Sequence, residues 1–308
     1  MAKLSMVLAT DSEATIRPVV EHLRGQTWKH EIELVLVCPE ALPFATECGT
    51  EFAAIRTVPH PVDSLARARA AGVRAAGAHL VFIGETHSFA DARFAERTIP
   101  AFDDPQWSVV VPALRNGNPH GVLSWSGFLC DYGAWAEELP EGEIDAVPVY
   151  NATFRRDLLL SLGESLPLAF DQSDDLDRAL RSSGRRALFL PSTHVSHVNA
   201  TQAWPWVRNR FLGGTLIASN RSGHWPRWRR LIFAAGAFLV PIVLLPRMMS
   251  GVNARVLRGP IGTMPFVLLS LALRAAGETL GYAGLFRRTA QSGMLHLELH
   301  KLRYAGRR

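Results

Sequence analysis

Three short apolar runs constrain this chain most: "KLSMVLAT" at 3–10, "EIELVLVCPE" at 31–40 and "AHLVFIGE" at 78–85. Each has the length of a strand and is nearly unbroken in its apolarity, the pattern of strands covered on both faces. Between the first two, "IRPVVEHLRGQ" places Ile16, Val19, Val20 and Leu23 at helical spacing. Before the third, "VDSLARARAAGVRAAG" is alanine-rich and helical, ending at Gly77. Short strands alternating with helices predict an α/β chain, a mostly parallel sheet with helices on both faces. Ligands of such sheets sit outside the carboxyl ends of the strands. That rule sets Thr10 to Ser12, Cys38 to Glu40 and Glu85 to His87 along one edge.

The edge ends in chemistry. Glu85 and His87 are two residues apart, so on an extended backbone their side chains share one side and reach one divalent ion. A carboxylate oxygen with an imidazole nitrogen suits Mn²⁺ or another first-row metal better than Ca²⁺. A solvated loop pair fits the same spacing.

Charge divides the chain unevenly. Residues 201–308 hold 16 Lys+Arg and two acids, Glu278 and Glu298, which makes that segment about +14 and the first 200 residues about −9. A basic segment of this kind faces a polyanion, nucleic acid or an anionic membrane leaflet. The apolar content selects the membrane. "LIFAAGAFLVPIVLLP" (231–246) follows Trp225, Arg227, Trp228, Arg229 and Arg230 and precedes Arg247, while "GPIGTMPFVLLSLAL" (259–273) lies between Arg258 and Arg274. Trp and Arg at the ends of apolar runs are what an interface selects. The first run falls short of the roughly 20 residues needed to cross the hydrocarbon core and contains Pro241. The expectation is therefore a pair of helices lying in the interface or forming a shallow re-entrant hairpin. A two-helix span, or two core helices of a soluble subdomain, are the alternatives.

Hydrophobic residues make up 48% of the chain, enough to build a core and exclude wholesale disorder. Cys38, Cys48 and Cys130 form no CxxC pair and no disulfide framework, which suits a reducing compartment. The start, "MAKLSMVLATDSEAT", reads as a first strand and not as a signal peptide.

These motifs, taken in order, resemble family-2 glycosyltransferases of the GT-A fold. "ATDS" (9–12) is similar to that family's "PxYN"-like turn, "ARAAGVRAA" (68–76) to its "ARNxGxxxA" helix, and "ETH" (85–87) stands where it has the metal-binding "DxD". "FDQSDDLDRALRSSGRRALFLPSTHVSHVN" (170–199) resembles its acidic motif, the helix ending "RLRxxG" and a late "VxH". Departures are visible: "CPEA" replaces "DDGS" after the second strand, and Gln172-Ser173 stand where Glu-Asp is usual.

The resemblance implies a GT-A catalytic domain over 1–200, a linker or acceptor-side segment over 201–228, and a membrane-associated helical tail over 229–308. It implies Asp174 or Asp175 as the catalytic base of an inverting displacement. Thr10, Asp11, Glu40, Asp63 and Arg69 fall to the nucleotide-sugar donor, and Glu85, His87 and His197 to a divalent metal, Mn²⁺ or Mg²⁺. The four acids between 171 and 177 also suit a helix start, and Asp63 suits an N-terminal cap. "RAAGETLGYAGLFRR" (274–288) resembles the end of bacterial membrane-associated members. Its Gly277, Gly281 and Gly284 read as a helix-packing stripe, and Glu278 pairs with Arg274 one turn away. "NRFLGGTL" (209–216) reads as a linker, with a mobile acceptor loop as the alternative, and Trp125, Phe128 and Tyr132 read as core, with a stacking wall for a sugar or a lipid as the alternative.

The implied activity is metal-dependent transfer of a sugar to a lipid-linked or cell-envelope glycan, at the cytoplasmic face of the membrane and without nucleic acid as a partner. A catalytically silent protein of the same fold, which binds a nucleotide or scaffolds a membrane glycan-assembly complex, is the alternative. A soluble nucleic-acid binder is a third, against which the apolar tail argues.

Overall fold

A computed structural model describes residues 2–40, 42–43, 50–137, 139–171, 173–251 and 262–306. Nine strands are described: β1 Leu4–Ala9, β2 Ile32–Cys38, β3 Ala54–Pro59, β4 Leu80–Ile83, β5 Ser88–Ala90, β6 Trp107–Asn116, β7 Gly142–Ile144, β8 Thr153–Arg155 and β9 Arg186–His197. The α-helices are α1 Glu13–Leu23, α2 Leu65–Ala75, α3 Phe94–Ala101, α4 Val122–Tyr132, α5 Arg156–Ser161, α6 Leu166–Asp171, α7 Ser173–Ser182, α8 Ala203–Arg221, α9 Arg227–Gly236, α10 Val240–Gly251, α11 Thr263–Tyr282 and α12 Arg287–Leu299. They group into two compact units, Met1–Arg115 with Leu139–Ser196, and Asn116–Glu138 with His197–Arg308. The division falls one residue before the ends of β6 and β9.

The first unit is the expected α/β layer, a mostly parallel central sheet flanked by helices. Every residue of β1, β2 and β4 is buried, which is why their sequences run apolar without alternation. β1 pairs in parallel with β2 (Ala9↔Val37) and with β4 (Val7↔Ile83), and β2 pairs in parallel with β3. These registers bring Thr10, Cys38 and Gly84 to one edge, as the strand order required. Gly72 lets α2 lie close on the sheet, because a Cβ there would collide with the side chains of Val7 and Val37.

β3 is absent from the sequence reading: it is an edge strand, only partly buried, with Arg56 facing out. β8 is a second addition. It enters beside β4 and β6 antiparallel to both, completing the order β3-β2-β1-β4-β8-β6-β9-β5 with β7 on β9.

The second unit is helical, and it revises the tail. The segment 209–216, expected as a linker, lies inside the 19-residue α8. α8 and α11 approach backbone to backbone, since a Cβ on Gly277 would collide with the Phe211 carbonyl, one on Gly281 with the Thr215 carbonyl, and one on Gly214 with the Arg274 carbonyl. Gly284 leaves that stripe and turns the chain after α11 at φ +83°. Arg274 Nε donates to buried Glu278 Oε1 at 2.8 Å, the i,i+4 pair the sequence predicts.

The second apolar run therefore differs from its expectation. Its described part opens α11, which buries Val267, Ser270 and Leu271 within this unit. Residues 259–261 lie outside the described residues. The first run does the opposite. Arg227–Met249 is a 23-residue helical stretch of hydropathy 2.1, 6% buried, and is long and apolar enough to cross a membrane. Pro241 does not end it: a 3₁₀ turn over Ala237–Leu239 absorbs the missing N–H.

Candidate active site

β4 ends at Ile83 against the turn that leads into β8. Asn151 donates its backbone N–H to the Ile83 carbonyl at 2.7 Å and adopts φ +60°, a left-handed conformation that asparagine tolerates better than most residues. Its side chain is thereby turned onto Glu85. Asn151 Nδ2 and Ser88 Oγ donate to Glu85 Oε2 at 2.7 and 3.1 Å, fixing the carboxylate. Glu85 Oε1 faces His87 Nε2 at 3.8 Å and Arg69 Nη2 at 3.9 Å. All three side chains are at most 4% exposed.

Arg69 comes from the sheet-facing side of α2, where Arg67 and Arg74 point outward. Its guanidinium carbon stands 3.8 Å over the Tyr150 ring, a stacking contact that sets the plane of the fork. Tyr150 is pinned in turn by its hydroxyl, which donates to the Phe170 carbonyl at 2.7 Å. Arg69 Nε and Nη1 meet no acceptor among the described residues. Buried charged donors left in this state cost on the order of 1–3 kcal/mol or more. An anionic ligand would meet them.

His197 is the last residue of β9, and strand continuity carries it to the end of the sheet. One ligand atom from each of Glu85, His87 and His197 lies within 4.8 Å of the others, and all three residues are buried. A carboxylate and two imidazoles form a donor set for a first-row divalent cation, so the residues fit a metal. His197 Nδ1 lies 3.1 Å from Asn199 Oδ1, and its ring stands 4.5 Å from that of Tyr132.

The other expected residues are placed as follows. Thr10 is buried and donates through Oγ1 to the Ser12 carbonyl at 2.9 Å, making the turn after β1, and exposed Asp11 accepts from Ser12 Oγ at 3.2 Å. Glu40 is exposed, and its backbone carbonyl accepts from the Cys38 thiol at 2.8 Å. Asp63 is exposed and paired with Arg67 at 2.9 Å; that hydrogen bond holds its carboxyl below the usual range. The cap of α2 is Ser64, which accepts from the Arg67 N–H, and not Asp63. Asp174 and Asp175 fall in the first turn of α7, but their side chains, like Gln172 and Cys48, lie outside the described residues.

Sequence reasoning missed Tyr150, Asn151 and Asn199. The pair "YN" in "VYNATF" has no local periodicity to mark it, and its contacts reach 66 residues back to Glu85.

No protein-family model matches this sequence, and no curated protein does. Solved structures of glycosyltransferases resemble it in chain path. The mannosyltransferase PcManGT from Pyrobaculum calidifontis, in complex with GDP-Man and Mn²⁺, is 17% identical at a TM-score of 0.49, over 97% of this chain and 87% of that one. S. aureus TarS 1–349 in complex with UDP is 11% identical at a TM-score of 0.44, over 93% and 92% of the two chains. GalNAc-T7 with UDP, GalNAc and Mn²⁺ is 14% identical at 0.47, over 72% of this chain and 52% of that one.

Proposed function

We propose that this chain is a metal-dependent glycosyltransferase that takes a sugar from a nucleoside diphosphate donor. The observation that carries the reading is Arg69: a deeply buried guanidinium with two nitrogens unmet among the described residues, 3.9 Å from a carboxylate of the Glu85–His87–His197 group. A cation-binding cluster and an unanswered cation in one place are complementary to a ligand with several anionic oxygens. A diphosphate has that chemistry. The resemblance of "ARAAGVRAA" and "ETH" to the corresponding glycosyltransferase motifs supports a sugar as the rest of the donor.

Arg69, held flat on Tyr150, binds diphosphate oxygens through Nε and Nη1. Glu85, His87 and His197 would hold the metal, and two imidazoles would favour Mn²⁺ over the oxygen-seeking Mg²⁺. A metal held there would supply positive charge to offset that building on the leaving diphosphate. Asp174 or Asp175 takes the proton from the acceptor hydroxyl as that oxygen attacks the anomeric carbon and the nucleoside diphosphate departs, inverting the centre.

The acceptor is a lipid-linked or cell-envelope glycan, met at the cytoplasmic face of a membrane. Arg227–Met249 supports this: Trp228, Leu231, Ile232, Phe238 and Ile242 are each at least 60% exposed, with Arg227, Arg229 and Arg230 at one end and Arg247 near the other. Apolar side chains so exposed, ended by Trp and Arg, suit a bilayer and its anionic headgroups.

Thermal shift of the detergent-solubilised full chain with UDP-, GDP- and TDP-sugars, with and without Mn²⁺, tests the reading. A donor at 100 times its Kd stabilises by about 2.7 kcal/mol. The expected result is a Mn²⁺-dependent shift with one nucleotide, lost in Glu85→Ala and in His87→Ala. No shift with any donor, in folded protein, supports the silent scaffold instead.

A further inference from the structure

The imidazole of His197 has a supporting chain of amides that the proposed reaction does not use. It starts at a group whose role is unambiguous, the backbone N–H of Asn118, which donates to Asn116 Oδ1 at 3.2 Å. Ser124 Oγ also donates to Asn116 Oδ1, at 2.9 Å. That oxygen is therefore the acceptor of the Asn116 amide, and the group reaching it from Asn199 at 3.1 Å is Nδ2, a donor. Asn199 Nδ2 lies 3.3 Å from the His197 carbonyl as well, a second acceptor on the same side.

With Nδ2 committed to two acceptors, Asn199 turns its Oδ1 to His197 Nδ1 at 3.1 Å. An amide oxygen accepts only, so Nδ1 must carry the hydrogen. Two backbone bonds hold the relay in place: Asn199 N–H donates to Asn118 Oδ1, and Asn118 Nδ2 donates to the Asn199 carbonyl, both at 2.8 Å. Asn118, Ser124 and Asn199 are all buried.

We propose that Asn199, oriented by Asn116 and Asn118, is a positioning residue that fixes His197 as the Nδ1–H tautomer and so presents Nε2 as its metal-ligand atom. The ligand role rests on the metal reading above; the tautomer does not. An imidazole whose far nitrogen donates to a fixed acceptor is oriented and made more basic at the other, the arrangement that metal-bound histidines commonly have.

The test uses the full-length protein in detergent, with ring ¹⁵N spectra of the metal-free form at alkaline pH and Mn²⁺ titration by calorimetry. The His197 signals are assigned with His197→Gln. The parent is expected to show Nδ1–H at His197. Asn199→Leu is expected to lose that preference and bind Mn²⁺ 10–100-fold more weakly, while Asn199→Asp, which keeps an acceptor oxygen, retains both. Asn116→Leu, two steps from the ring, shifts both readouts in the same direction by less, and serves if Asn199→Leu fails to fold. An Nε2–H signal in the parent, or parent-like Mn²⁺ affinity in a folded Asn199→Leu, overturns the proposal. A parent with Nδ1–H that binds no Mn²⁺ overturns the metal reading, and with it the ligand role of Nε2.

Discussion

Two arginines, one in each unit, are partnered in opposite ways. Arg210 on α8 gives both Nη atoms to Asp131 at 2.6 Å each, a bidentate fork on a carboxylate. Burial pushes the Asp131 pKa up, but the Arg210 charge and its two hydrogen bonds outweigh that and hold the carboxyl below its usual range. Beside it, burial pushes the Cys130 thiol up to about 11, so it stays protonated and inert. Arg69 is the more deeply buried, at 4% side-chain exposure against 12%, yet the Glu85 carboxylate it faces is 3.9 Å away and, among the described residues, two of its nitrogens meet no acceptor, against Nε alone in Arg210. Selection for stability alone would place the better partner at the deeper site. On the function proposed above, the inversion separates an arginine that holds the fold from one placed for a ligand.

The largest effect that would break this comparison is at Arg69. Arg69→Ala is expected to lower sugar transfer by about 10²–10³-fold and to leave the melting temperature unchanged or raised, since an unmet buried charge is removed. Transfer assays alongside thermal melts decide it, and a large loss of stability with activity retained would make Arg69 a second structural arginine.

Arg210→Ala should do the reverse, destabilising by about 1.5–2 kcal/mol in urea titration. That is the low end for charged hydrogen bonds, because the Asp131 side chain is 35% exposed. The sign with pH follows from the lowered Asp131 pKa. Its contribution is complete above the unfolded value, near 3.9, and is lost as pH falls through the folded one. Urea midpoints between pH 6 and pH 3 should therefore fall more steeply in the parent than in Arg210→Ala, and parallel curves would dissolve the pair's role.

Tyr150→Leu sharpens the comparison with the smallest change. Loss of the stacking platform should weaken donor binding by about 1 kcal/mol, several-fold in Kd, with Mn²⁺ affinity unaltered. Equal weakening of donor and metal would place Tyr150 under the whole cluster instead of under Arg69 alone.

Much of the fold was legible because its strongest signals are local. Continuous apolarity marked β1, β2 and β4, helical spacing marked α1 and α2, and the strand-end rule brought Glu85 and His87 to the sheet edge. β3 was not legible, since a half-exposed edge strand has neither continuous apolarity nor clean alternation. The linker reading of 209–216 failed because Gly213 and Gly214 look like a chain break in one dimension. In the folded unit Gly214 is the contact surface of a helix. The two apolar runs looked alike in composition, and only packing distinguished the helix that buries one face from the one left bare.

Residue type and spacing by themselves determined which side chains have the chemistry: a carboxylate and an imidazole two apart at a strand end, an arginine on an alanine-rich helix, a late histidine. Tertiary structure alone decided what each one meets. Asn151 reaches Glu85 across 66 residues of chain, and Asn116 orients Asn199 across 83. Two Arg69 nitrogens lack acceptors among the described residues because α2 turns the side chain inward, while Arg67 two residues earlier pairs at the surface. The physical reason is that periodicity encodes which face of an element is buried, whereas hydrogen-bond partners are set by which elements the chain brings side by side.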